Sequence, residues 1–299
     1  MVSPVPSRPV PARPPSYRVL VPVLLLALLL AQVLLEPRRA AAAPPAPGLL
    51  APVVGPLGAP GGTLAVAVAG LVPVAPGLTG PGATGGRLVL RTADNGPAAA
   101  RPLPTASLVK LFLAEDLLHR ARAGTVTLGE RDRRLLQDMI SASNDPAASQ
   151  FWDRFGGPQM VRDVAARYGL RDTAPPDDPS QWGETTTTAR DLARFLGTLR
   201  QVADPEDAAT LLSWMSATTP VAADGFDQRF GVFGTAPPAT AVKQGWMCCL
   251  SGQRHLHSVG VVGNRVVVLL SEVPRSVSYG RARAALDGAA AALLSPPPG

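Results

Sequence analysis

The chain has 299 residues, a formal net charge of +6 at pH 7, and 46% hydrophobic against 17% charged side chains. That is enough apolar mass for one large or two ordinary packed domains and excludes wholesale disorder; the 33 prolines and 29 glycines stay below a low-complexity composition. Five arginines against Glu36 place +4 of the charge within residues 1–43, which leaves +2 for everything else. The excess therefore sits beside an apolar run, where it bears on membrane insertion, and no basic stripe points to a nucleic-acid partner.

Residues 1–18 form a basic segment and residues 19–35 an apolar run, VLVPVLLLALLLAQVLL. Seventeen residues is the lower limit for a membrane span and slightly long for a signal-peptide core. The flank EPRR favours an uncleaved transmembrane anchor with the domain outside the membrane, while Ala40–Ala43 would suit secretion after signal cleavage. No Cys follows the run closely, which argues against lipid anchoring through an N-terminal Cys. Residues 36–62, rich in Pro, Ala and Gly, read as an extended linker, and residues 63–299 as the folded domain.

Strands are expected over Thr63–Leu71 and Arg87–Thr92, the second closing on the turn former Asp94-Asn95-Gly96. A helical block follows: Ser107–Ala123 with a stop at Gly124, Glu130–Ser141, a helix from Pro146 to Gly156-Gly157, then Pro158–Tyr168, Thr188–Leu199 and Pro205–Met215. Strands return at Ala241–Trp246, His255–Val262 and Val266–Val273, the last two joined by a Gly263-Asn264 hairpin turn, and a helix over Val277–Leu294 closes the chain. Strands at both ends around a helical middle predict an α/β (α+β) domain, its antiparallel sheet covered by the terminal helix.

Thr105-Ala106-Ser107-Leu108-Val109-Lys110 puts a serine at a helix start and a lysine three residues on, on one face. Lysine can take the serine proton only if burial or a neighbouring cation lowers its pKa. Alone, S-x-x-K is common, and Ser107 could be a plain N-cap. Two further segments sharpen the pattern: MISASND over Met139–Asp145 and VKQGWM over Val242–Met247.

In that order the three motifs resemble the S-x-x-K, S-D-N, K-T-G set of the class A β-lactamase and penicillin-binding (serine β-lactamase-like) superfamily, of which this is a divergent member by resemblance. The likeness spans about Thr63 to Leu294 and takes in FWDRFGG after the second motif and TTTTARDLARFL before the third. It implies a β-lactamase/transpeptidase-like fold with a helical subdomain between the terminal strands. It further implies that Ser107 is acylated, Lys110 accepts its proton, Ser143 relays a proton to the leaving group and Lys243 supplies the field around Ser143. The backbone N–H groups of Ser107 and Trp246 would form the oxyanion hole, with Gly245, the last residue of the third motif, just before that donor.

Three departures stand out. Asn144-Asp145 replaces Asp-Asn, so Asp145 puts a carboxylate where the family has an amide donor; before Pro146 it also suits an N-cap. Gln244 replaces a hydroxyl that would bind a substrate carboxylate, although its amide can still donate. The stretch RDTAPPDDPSQWGE (171–184) lacks the Glu-x-x-x-Asn that in class A β-lactamases activates the deacylating water; Asp177, Asp178 and Glu184 read as loop residues or helix-entry charges.

Cys248 and Cys249 are adjacent, and a disulfide between neighbours closes a tight ring, leaving buried thiols or intermolecular pairing as alternatives. His255 and His257 fall on one side of a strand without the further ligands of a zinc site, and no metal or cofactor is expected. His119 lies late in the first helix, where a partly charged imidazole suits the C-terminal end. Trp152, Trp182 and Trp214 read as packing residues, and Trp246 as a packing residue that could also wall a pocket.

The expected function is a serine hydrolase of β-lactamase or D-Ala-D-Ala carboxypeptidase type, acting on cell-wall peptides or β-lactam-like small molecules and poor at β-lactam hydrolysis. The alternative is an inactive cell-wall binding or scaffolding module on the same fold. Composition favours the enzyme: 26 of 28 basic residues are Arg, and the two lysines, Lys110 and Lys243, stand where the superfamily places one. Arginine cannot act as a proton acceptor because its guanidinium stays charged.

Overall fold

The computed structural model describes Leu50, residues 61–73 and residues 88–295; the expected segments 1–18 and 19–35, and nearly all of 36–62, lie outside them. Strand β1 (Thr63–Pro73) sends Ala65, Ala67 and Ala69 into one core and Leu64, Val66 and Val68 into another. The period-two geometry of a strand makes this division, and both faces of the sheet are covered. That is why β1 reads as an almost unbroken apolar run rather than an alternating one.

Strand β2 (Leu88–Asp94) pairs antiparallel with β1 and runs two residues past its expected end. Asn95 behind it is held across the strand by Val66 N–H, which donates to Oδ1 at 2.9 Å, and by its own Nδ2, which donates to the Leu64 carbonyl at 2.8 Å. A short 3-10 turn (Gly96–Ala100) leads to the two-residue strand β3 (Leu103–Pro104) and a second 3-10 turn, Ala106–Leu108.

Helix α1 (Val109–Arg122) has Leu111, Phe112, Leu113, Leu117 and Leu118 all buried, and its charged Lys110, Glu115 and Asp116 are buried with them. A helix buried all round is a core element, and each buried charge on it needs a partner. Around it pack α2 (Glu130–Ser141), α3 (Asp145–Phe155) and α4 (Gly157–Tyr168). Arg167 and Tyr168 of α4 supply partners: the guanidinium reaches Glu115 at 3.0 Å and Asp116 at 2.9 Å, and the phenol donates to Glu115 at 2.9 Å.

The two-residue strand β4 (Thr186–Thr187), paired with β3, precedes α5 (Ala189–Val202), whose N-cap Thr188 accepts from Asp191 N–H, and α6 (Pro205–Ser216), capped by Asp204. After the short α7 (Val232–Thr235), strands β5 (Ala241–Leu250), β6 (Gln253–Val262) and β7 (Arg265–Pro274) form an antiparallel meander with the expected Gly263-Asn264 turn. The sheet order is β2-β1-β7-β6-β5, which joins the two ends of the described chain through β1 and β7 and leaves β5 at an edge. Helix α8 (Tyr279–Leu294) covers one face through Ala282, Leu286, Ala289, Ala290 and Leu293, and the helical block covers the other. No helix among the described residues is long and apolar enough to cross a membrane.

Candidate active site

The 3-10 turn Ala106–Leu108 packs along β5. Gly245 permits the approach: a Cβ there would stand 3.0 Å from the Thr105 carbonyl oxygen and 3.3 Å from Leu108 Cγ. Ser107 lies within this turn, ahead of the α-helix, and no side-chain cap bond is made at either start, so the plain N-cap reading gives way. Ala106 just before it is held at φ +46°, a left-handed backbone that a residue with a side chain adopts at a cost.

Lys110, the second residue of α1, is fully buried, with Nζ 2.9 Å from Ser107 Oγ. The loop between α2 and α3 and the start of α3 supply three more acceptors: the Ser143 carbonyl at 2.7 Å, Ser143 Oγ at 3.2 Å and the carboxylate of Asp145. Ser143 has φ +55°, and both its hydroxyl and its carbonyl reach the lysine. Lys243, buried on β5, approaches from the other side with Nζ 2.9 Å from Ser143 Oγ and 2.8 Å from the Gln244 carbonyl. Ser107, Lys110, Ser143 and Lys243, which the motif order singles out, thus meet in one cluster.

Burial pushes the Lys110 amine below the ordinary lysine value, and the Asp145 carboxylate opposes that shift. Lys243 is pushed further down, first by burial and then by the neighbouring charge of Lys110. Two amines and two hydroxyls thus lie within hydrogen-bond reach of one another, and Lys110 is the amine that also meets a carboxylate.

Two expectations are corrected at the motif positions. The N-cap of α3 is Asn144, whose Oδ1 accepts from Ala147 N–H at 3.0 Å; Asp145 is the first helical residue and its carboxylate turns to Lys110. Gln244 does not face the cleft: it is fully buried, and Nε2 donates to the carbonyls of Gln228 at 2.9 Å and Phe230 at 2.6 Å. Strand alternation is the cause, since Lys243 and Gly245 share one face and Gln244 takes the opposite one.

The cleft in front of Ser107, about 260 Å³, is lined by Ala106, Ser107, Asp145, Trp246, Met247 and residues 180–183 of the loop before β4. Trp246 walls it as expected, its indole stacked on Phe226 at 4.6 Å and its Nε1 donating to Asp224 at 3.0 Å. Trp182 is more than a packing residue: it lines the cleft, with its ring 5.1 Å from Lys110 Nζ and its Nε1 donating to Ser149 Oγ at 3.1 Å. Its place in a polar, Pro-rich loop beside Gly183 was the available signal. Asp224, in an ordinary turn sequence, gave none. Asp177 and Asp178 are exposed, and neither they nor Glu184 line the cleft.

Cys248 and Cys249 are exposed and their sulfurs lie against each other across a cis peptide bond, so the buried-thiol alternative gives way. His255 and His257 do share a sheet face, with rings 6.0 Å apart. His257 Nδ1 accepts from Ser271 N–H at 3.2 Å and Nε2 lies 2.8 Å from the Pro104 carbonyl, the contacts of a neutral imidazole that ties β6 to the segment carrying Ser107. Burial pushes its pKa down to about 3. A larger cavity of about 700 Å³ between β1, β2, α4 and α5 includes none of the motif residues.

Three kinds of relative accord with this arrangement. "Putative lipoprotein LppW" of Mycobacterium tuberculosis and of Mycobacterium bovis is 42% identical over 193 residues, covering 62% of this chain and 61% of that protein. The chain thus spans about three fifths of the length of these curated relatives. Among solved structures, a point mutant of PBP-A in its acyl-enzyme complex with penicillin G aligns at TM-score 0.60 and 18% identity over 84% of this chain and 97% of that one. A β-lactamase from Chitinophaga pinensis aligns at TM-score 0.59 and 13% identity over 81% and 96%. At these identities the structural matches speak for the fold alone. The profile of the Beta-lactamase enzyme family matches residues 131–295, more than half of the chain and inclusive of the second and third motifs, and the protein belongs to that family as a divergent, serine β-lactamase-like member.

Proposed function

We propose that the protein is an exported serine hydrolase that acts through an acyl-enzyme on Ser107. The observation that carries this reading is the 2.9 Å contact between Ser107 Oγ and a buried Lys110 amine whose pKa is lowered. In its neutral form Lys110 takes the hydroxyl proton as Oγ bonds to the substrate carbonyl carbon. The bond to the leaving group then breaks, and the proton passes through Ser143 Oγ to the departing oxygen or nitrogen. Lys243 orients Ser143, and the backbone N–H groups of Ser107 and Trp246 hold the oxyanion. Cell-wall peptides and β-lactam-like amides or esters are the substrate classes implied.

Release of the acyl group is the slow half of the reaction in this account. Among the described residues Asp145 is the one carboxylate in the cleft lining, and it is engaged by Lys110 rather than free to activate water. The same ion pair favours the second reading, an inactive wall-binding module, because a carboxylate beside Lys110 stabilises the protonated amine that cannot act as a base.

For location, the apolar run 19–35 with its arginine flanks supports a membrane anchor that leaves the domain outside, and the mycobacterial relatives are lipoproteins by name. The chain's two cysteines stand at 248 and 249, so the anchor here would be the apolar run itself. Incubation of the full chain with neutral aryl esters and with β-lactams, followed by denaturing electrophoresis for retained label, tests the enzyme reading. A label that survives denaturation and is absent from Ser107→Ala supports it, and no label from any donor leaves the binding module.

A further inference from the structure

The one charged side chain among the described residues lining the Ser107 cleft is a carboxylate, although the chain as a whole is basic. Both lysines of the site are fully buried behind Ser107 and Ser143, whereas Asp145 lines the cleft with its side chain 54% exposed. No arginine among the described residues lines the cleft. A second carboxylate is fixed at the rim: Asp224 accepts from the Trp246 indole N–H at 3.0 Å and is itself exposed. Its loop is clamped to the second motif, since Thr219 N–H donates to Ser141 O at 3.0 Å and Ala223 N–H to Ala142 O at 2.8 Å. The nearby cation Arg283 packs on Phe226 at 4.6 Å, and its charge is taken up by Asp227, with a 2.7 Å bond to the Asp227 carbonyl and a 3.7 Å approach to its carboxylate. The side chain next to Lys243, Gln244, points into the opposite core and gives a bound anion nothing.

We propose that the cleft selects acyl donors that are neutral or amine-bearing between Asp145 and Asp224 and rejects donors that carry a carboxylate there. This deepens the acyl-enzyme reading and rests on it. A carboxylate brought to the mouth meets the carboxylates of Asp145 and Asp224 before it can reach the buried lysines behind the serines, and like-charge juxtaposition costs affinity as well as encounter rate. An ammonium or an uncharged amide escapes that cost. The bond changes are those given for Ser107, so selection acts on binding and acylation alone.

The test uses the full chain in detergent and three aryl acetates whose leaving-group ring carries a meta carboxylate, a meta carboxamide or a meta aminomethyl group. Acylation rate constants are taken from intact mass against time, each divided by the ester's own hydroxide-catalysed rate. The carboxamide and aminomethyl esters are expected to acylate about 10-fold or more faster than the carboxylate ester. Asp224→Asn, which keeps an oxygen for the Trp246 N–H, is expected to narrow that gap by about 3-fold or more. A carboxylate ester that acylates as fast as the others, or a gap unchanged in Asp224→Asn, overturns the selection. Failure of all three esters to form an adduct overturns the acyl-enzyme reading and the selection with it; a reversed order overturns the selection alone.

Discussion

The carboxylate of Asp145 closes directly on Nζ of Lys110, so the amine proposed to receive the Ser107 proton already has a counter-ion. Two opposing influences act on that amine. Burial lowers its pKa and makes it a base at moderate pH, while the carboxylate restores part of the lost affinity for the proton. The balance between them sets the pH at which Ser107 becomes nucleophilic.

Asp145→Asn removes the raising influence, so the Lys110 pKa falls further. Acylation should rise with pH through a midpoint below the ordinary lysine value in the native protein, and in Asp145→Asn that midpoint should move further down, because the opposite charge that raises it is gone. At pH values below both midpoints the variant should acylate faster. A pH–rate profile with a neutral ester measures this, and an unmoved midpoint would show that Lys110 is not the titrating base.

Lys110→Arg keeps a cation near Ser107 Oγ and abolishes the proton acceptor. Acylation should fall about 10³-fold or more while the thermal midpoint changes far less than the activity. The composition makes this informative, since the chain uses arginine nearly everywhere else.

Gly245→Ala tests the fit between β5 and the nucleophile turn. A methyl group 3.0 Å from the Thr105 carbonyl and 3.3 Å from Leu108 Cγ must push the turn away from the strand. A displacement of a few tenths of an ångström to about 1 Å at the nucleophile is expected to cost about 10- to 100-fold in acylation rate, with the circular dichroism spectrum retained. A native rate in this variant would mean that the turn and the strand need not meet so closely.

Arg167→Met leaves Glu115 and Asp116 buried side by side without their shared cation. Burial already pushes both carboxyl groups above their usual range. Loss of the guanidinium should destabilise the fold by about 3–5 kcal/mol, seen as a lower urea midpoint, because it strands charge on the helix that carries Lys110.

His257 gives a stability signal on acidification. Its folded pKa of about 3 lies below the unfolded value of 6.5, so between them the unfolded chain binds the additional proton and stability falls as pH falls. From pH 8 to pH 5 this group should remove about 2 kcal/mol of unfolding free energy. His257→Gln should flatten that part of the profile, and an equal slope in both proteins would place the acid sensitivity elsewhere.

The sequence carried the fold's outline because its punctuation is local: Gly124, Gly156 and Gly169 end helices in left-handed conformations, and Gly263-Asn264 turns a hairpin. The two lysines and the motif order likewise single out Ser107, Lys110, Ser143 and Lys243, whose side chains the fold brings into one cluster. What failed were questions of direction. Period-two alternation on β5 already placed Gln244 on the face opposite Lys243, and motif matching alone obscured it. Asn144 and Asp145 compete for one helix start, and only the position of Lys110 decides which side chain caps and which forms the ion pair. Trp182 and Asp224 reach the site through loop conformations that no periodicity encodes.

The measurement that bears most directly on the central claim is intact-protein mass spectrometry of the full chain after exposure to a neutral aryl ester, with Ser107→Ala in parallel and peptide mapping of any adduct. The account predicts one acyl group per chain, located on Ser107, persisting long after excess ester is removed, and absent from the variant. An unmodified native protein, or an adduct that the variant forms equally well, would contradict it.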